Sequence, residues 1–284
     1  MKFGMNMLLW TTHVTEEHFP ILANLKEAGF DGVEIPVFEE DSAPYERLRK
    51  ELDRLALSCT TVFVIPADCS PIDRSVESRK KAMLKIRRAA KNTAILGGEL
   101  MCGPFHSPLG VFTGSPPTED ERRLGAEVIR FAAEEAKKVN VKLVIEFLNR
   151  FECYFLTTAA DAHAFVQRVN HDNCKMMWDT FHANIEEKDI AKSIAAVKDS
   201  IVHVHVSEND RGTPGTGHVN FLETFKALHR ARYDGWLVIE AFSRALPALA
   251  AATKVWRDLF PSPEEVYTKG LRYTRVIWEE SEFV

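Results

Sequence analysis

The chain has 284 residues, 45% hydrophobic and 27% charged, an ordinary globular composition with length enough for a large core. Its net charge of −5 argues against a nucleic-acid or anionic-membrane partner. No apolar run approaches a membrane span, and the short one at the N-terminus lacks a small-residue cleavage site, so neither a membrane partner nor a signal peptide is read.

In chain order, short apolar runs alternate with longer amphipathic ones. Strands are read at residues 3–9, 32–36, 59–64, 100–103, 142–147, 175–179, 201–206 and 237–241. Helical patterns follow them at 16–28, 45–57, 76–96, 119–139, 159–169, 190–198, 221–231 and 245–259. The strands are rich in Val, Ile and Leu without clean alternation, as expected where both faces are covered. Parallel strands need helical crossovers, and the chain supplies them. The pattern predicts an α/β fold: a single (β/α)8 TIM barrel domain over residues 1–284, with an extra C-terminal helix at 262–280. Residues 103–118 are rich in Gly, Pro and Ser and follow a strand, which places a lid on the catalytic face. Cys59, Cys69, Cys102, Cys153 and Cys174 are odd in number and lack C-x-x-C spacing, so they read as free thiols in a reducing cytoplasm.

Four strands end on polar residues. KLVIE ends on Glu146, KMMWD on Asp179, IVHVH on His205 and WLVIE on Glu240. In a barrel these ends converge on one mouth. Three carboxylates at close quarters repel unless a positive charge lies between them. Oxygen-rich ligation with one imidazole favours Mn²⁺, Mg²⁺ or Co²⁺. His203, two residues before His205 on the same face, reads as a hydrogen-bonded core residue supporting the site. Trp10 and Phe242 are candidate walls for a substrate, and His106 a candidate donor from the lid. Asn184, Glu186 and Glu187 read as a solvated polar turn.

Together EFLNRFE, WDTFHANIEE, HVHVSENDRGTPGTGH and VIEAF-x-R resemble the ketose 3-epimerases. These are the D-tagatose and D-psicose (allulose) 3-epimerase group of the xylose-isomerase-like barrels. The resemblance is strongest over about residues 140–244. The first half matches only in barrel rhythm and in GFDGVEIP. It implies one divalent ion per subunit, Mn²⁺ before Co²⁺ or Mg²⁺, on Glu146, Asp179, His205 and Glu240. It implies that Glu146 and Glu240 double as acid and base in epimerising a ketose at C3. It further implies that Glu152, His182 and Arg211 hold the sugar near O1 and O2, and that the protein is a homodimer or homotetramer. Two loops depart from the family pattern, VFVIPADC within 62–70 and GPFHSPLGVFTG within 103–118. Both lie where the distal sugar carbons should bind, so they leave the ketose open.

Other readings remain at this stage. An aldose–ketose or hydroxypyruvate isomerase, or an inosose dehydratase, would use similar carboxylates. An endonuclease IV-type metallonuclease would need more histidine ligands and a basic surface. A sugar-binding protein without catalysis leaves the paired glutamates unexplained.

Overall fold

The computed structural model describes residues 1–283. Eight parallel strands pair each with the next, and the last closes on the first. They are β1 (Lys2–Asn6), β2 (Gly32–Pro36), β3 (Ser58–Val62), β4 (Leu100–Gly103), β5 (Lys142–Ile145), β6 (Cys174–Asp179), β7 (Ile201–Val206) and β8 (Trp236–Ile239). The helices are α1 (Phe19–Ala28), α2 (Ala43–Leu55), α3 (Val76–Leu96), α4 (Glu119–Lys137), α5 (Ala159–Val169), α6 (Thr180–Glu186), α7 (Ile190–Val197), α8 (Phe221–Arg230), α9 (Pro247–Thr253) and α10 (Pro263–Glu282). This is the α/β (β/α)8 barrel expected from the sequence, with α10 as the additional C-terminal helix. No helix among the described residues is long and apolar enough to cross a membrane.

Local chemistry sets the ends of these elements. Helices α4 and α5 open on capping boxes, Thr118 with Glu121 and Thr158 with Asp161, which satisfy first-turn amides that lack a partner inside the helix. Helix α10 lies beside α8 and α1, with Trp278 stacked on His229 at a 3.9 Å centroid separation and edge-on to Phe225 at 5.5 Å. At the end of β4, Gly103 has φ +125°. A Cβ there would stand 2.4 Å from the Phe63 carbonyl oxygen, so only glycine allows the β3 and β4 exits to approach. The Gly103 carbonyl accepts the Glu146 amide at 3.2 Å, which ties this close approach to the site.

Several element ends shift by one to three residues from the sequence reading, and three departures have a local cause. The first strand stops at Asn6, not residue 9. The Asn6 side chain accepts the Leu8 amide at 2.9 Å and turns Met7–Leu9 into a 3₁₀ segment. The run at 245–259 yields only α9, begun by Pro247 and ended by Lys254 at φ +61°. The polar turn read after Asp179 is α6, and its glutamates are bonded. Glu186 takes a bidentate contact from Arg150, and Glu187 accepts from the Ala159 amide and the Ser193 hydroxyl. The stretch 103–118 is irregular as expected, but it divides: His106, Ser107 and Pro108 are buried, and 110–116 are exposed.

Candidate active site at the barrel mouth

Asp179 is the last residue of β6 and caps α6. Its Oδ1 accepts the Phe181 and His182 amides at 2.7 and 3.0 Å. Its Oδ2 is buried and has no hydrogen-bond partner. Register pairs Asp179 with His205 on β7, and His205 Nδ1 lies 3.5 Å from Asp179 Oδ2. The same Nδ1 is 3.3 Å from Glu240 Oε1 and 3.9 Å from Glu146 Oε1, and it too lacks a hydrogen-bond partner. Glu146 and Glu240 stand one residue beyond β5 and β8. All four side chains are buried.

Three carboxylates around one imidazole nitrogen, with a buried carboxylate oxygen and that nitrogen both unpartnered, suit a hard divalent cation with mixed oxygen and imidazole ligands. Burial raises Glu146 well above the usual carboxylate range. The His205 charge opposes this rise, and Glu240 and Asp179 add to it. Burial works against the His205 imidazolium, yet Glu34, Glu240 and Asp179 outweigh it and hold that group well above an ordinary histidine. Three carboxylates at these distances favour a positive charge among them.

A second group adjoins it. Arg211, on the loop after β7, forms a bidentate pair with Glu152: Nη1 to Oε1 at 2.9 Å and Nη2 to Oε2 at 3.2 Å. Both are buried. The guanidinium lies over the Phe181 ring at 4.0 Å and the Phe242 ring at 5.1 Å, favourable cation–π contacts. His182 accepts the Asn149 amide at Nδ1 (2.9 Å), so its proton sits on Nε2, 3.6 Å from Glu146 Oε1 and 3.5 Å from Arg211 Nη2. Burial lowers the His182 pKa despite Asp179 and Glu152, which keeps a neutral N–H donor here. Asn149 also donates to Glu152 Oε1 at 2.9 Å.

The seven residues singled out for metal and sugar therefore form one continuous cluster, and Phe242 joins it beneath Arg211. Trp10 caps the 3₁₀ turn, half-buried, with its ring 6.2 Å from that of Tyr267. His106 sits differently from its sequence reading as a free donor. Its Nε2 donates to the Glu146 carbonyl at 2.8 Å, and its Nδ1 accepts the Ser107 hydroxyl at 2.9 Å. Both nitrogens are engaged, so it braces the chain at Glu146. Sequence reading passed over Glu34, Asn6, Asn149 and Glu208. Glu208 is fully buried and accepts the Gly215 and Val219 amides at 2.8 and 3.0 Å, while its carbonyl accepts the Arg211 amide at 2.9 Å. It shapes the loop that holds Arg211 at φ +65°.

Comparisons with known proteins identify the family of the fold. A family model described as xylose isomerase-like TIM barrel matches residues 22–276. The chain is 32% identical over 271 residues to a ketose 3-epimerase of Arthrobacter globiformis, covering 94% of this chain and 93% of that one. It is 30% identical over 266 residues to a D-psicose 3-epimerase of Agrobacterium fabrum, covering 91% of each. A solved L-ribulose 3-epimerase superposes with a TM-score of 0.93 at 29% identity, covering 99% of this chain and 96% of that one. The chain belongs to the xylose isomerase-like TIM barrel family and, within it, to the ketose 3-epimerases. It is accordingly an isomerase, a carbohydrate epimerase.

Proposed function

We propose that the protein epimerises a free ketose at C3 through a cis-enediolate, with Glu146 and Glu240 as the acid/base pair and one divalent cation, Mn²⁺ before Co²⁺ or Mg²⁺, held by Glu146, Asp179, His205 and Glu240. The observation that carries this reading is the meeting of those four side chains around two unpartnered atoms, Asp179 Oδ2 and His205 Nδ1. A cation bound there supplies Lewis-acid polarisation of the ketose carbonyl.

The proton on C3 adjoins the C2 carbonyl and is weakly acidic. One glutamate removes it from one face, and the other returns a proton to the opposite face. Each therefore starts in the opposite protonation state, and the roles exchange in the reverse direction. Burial of Glu146 raises its pKa and a bound cation would lower it, so the two effects oppose each other at the residue assigned to move the proton. The neutral Nε2–H of His182 and the planar fork of Arg211 donate to the sugar near O1 and O2, positions where negative charge develops. Glu152 orients that fork. Phe242 and Trp10 form apolar walls. The five free, buried cysteines support a reducing, cytoplasmic setting. The family resemblance supports a homodimer or homotetramer, with residues 1–284 as one domain.

The test is a panel of ketoses (fructose, psicose, sorbose, tagatose, ribulose and xylulose) assayed with EDTA and then with Mn²⁺, Co²⁺ or Mg²⁺ restored. Epimeric ketoses formed only with metal are expected. An aldose product, or equal turnover in EDTA, contradicts the proposal.

A further inference from the structure

Beneath the mouth, the barrel interior holds a fully buried carboxylate that the reaction scheme does not use. Glu34 is the third residue of β2, and register pairs it with Asn6 on β1 and Thr60 on β3. Its exposure is 0%. A lone charge there would be costly, and five donors surround it. Oε1 accepts from His205 Nε2 at 2.7 Å and Asn6 Nδ2 at 3.0 Å. Oε2 accepts from His203 Nε2 at 2.8 Å, the Thr60 hydroxyl at 2.9 Å and the Cys102 thiol at 3.2 Å. No contact requires Glu34 to donate. We read it as an ionised acceptor, which all five contacts allow, and both imidazoles then present N–H to it at Nε2.

That requirement reaches the mouth by two routes. With its Nε2 committed to Glu34, His205 in its neutral form has its lone pair on Nδ1, the atom facing Asp179, Glu240 and Glu146. Asn6 meanwhile divides its amide between Glu34 Oε1 and Glu240 Oε1, the latter at 3.2 Å.

We propose that Glu34 is the positioning residue of the site: it fixes the tautomer and ring orientation of His205 so that Nδ1 is a ligand, and through Asn6 it holds the Glu240 carboxylate in place. This rests on the metal-dependent reading above. A carboxylate behind a metal-binding histidine sets ligand basicity and direction, and removing such a partner costs about 10- to 100-fold in metal affinity.

Glu34→Gln replaces one acceptor oxygen with an NH₂ group. That group faces an imidazole nitrogen that already carries a proton, so one histidine must change tautomer or move. Glu34→Asp keeps the charge with shorter reach. The experiment is calorimetric titration of the full-length, EDTA-stripped protein with Mn²⁺ for wild type, Glu34→Gln and Glu34→Asp, with circular dichroism as the check on folding. We expect Mn²⁺ affinity to fall about 10- to 100-fold in Glu34→Gln and to recover in part in Glu34→Asp. Equal affinity in wild type and a folded Glu34→Gln overturns the proposal. A wild type that binds no Mn²⁺ overturns the metal-dependent reading instead. If Glu34→Gln does not fold, wild type loaded with diamagnetic Mg²⁺ decides the matter through ¹⁵N–¹H correlation of the histidine rings. A proton on Nε2 of His205 is expected, and one on Nδ1 refutes the assignment.

Discussion

At the scale of single residues, the two glutamates at the mouth carry the most direct expectations. Glu146→Gln and Glu240→Gln each keep the shape of the side chain and remove its ability to exchange a proton. Each is expected to lose at least about 10²- to 10⁴-fold in kcat, the usual range for a general acid or base. Near-wild-type turnover in either variant would count against the two-carboxylate mechanism. His106 gives a pH expectation. Burial lowers its pKa from 6.5 to about 4, opposed by its bond to the Glu146 carbonyl. The unfolded chain therefore binds more protons than the folded one between those values, and folding stability falls as pH drops through that window. The full loss amounts to about 3 kcal/mol, since one pKa unit is worth about 1.4 kcal/mol. Urea unfolding of wild type and His106→Asn at pH 7 and pH 4 measures it: wild type should lose the larger amount by about that difference. Parallel pH profiles would contradict the assignment.

At the scale of elements, the site is built from loops locked by buried polar pairs. The loop after β5 and the loop after β7 are joined by Glu152 and Arg211. Glu152→Ala leaves a buried guanidinium without its carboxylate and is expected to cost about 3–5 kcal/mol of stability in urea unfolding. It should also raise KM for the ketose, because Arg211 loses its orientation. A stability change under 1 kcal/mol would mean that water reaches the pair freely. The strand ends that supply Glu146, Asp179, His205 and Glu240 were legible in the sequence because a polar residue closing an apolar run stands out. Glu34 was not. It lies inside GVEIP, in the interior of a strand and not at its end, and its partners Asn6, Thr60, His203 and Cys102 come from four other places in the chain. Asn149 lay within a quoted motif, but its task of orienting His182 depends on a main-chain amide that no side-chain pattern reveals. The length of the first strand was misjudged because Met7, Leu8 and Leu9 continue the apolar run, while the turn is dictated by the Asn6 side chain.

At the scale of the whole molecule, the closed barrel brings four distant segments to one mouth, and the proposed cation, bound there, would link folding to the composition of the solvent. Anything that binds only the folded state stabilises it, by about 2.7 kcal/mol when free ligand reaches 100 times Kd. Stripping with EDTA should lower the unfolding midpoint, and Mn²⁺ should restore it. An unchanged midpoint at saturating Mn²⁺ would argue against a site that the cation completes. The central claim is that this barrel removes and returns the proton on C3 of a ketose. Its most direct measurement is proton NMR of a turned-over ketose in D₂O with Mn²⁺, the paramagnetic ion removed before the spectrum is recorded. The account predicts deuterium at C3 in both epimers and none in an EDTA control. Deuterium elsewhere with the carbonyl shifted, or no incorporation across the ketose panel by the Mn²⁺-loaded protein, would contradict it.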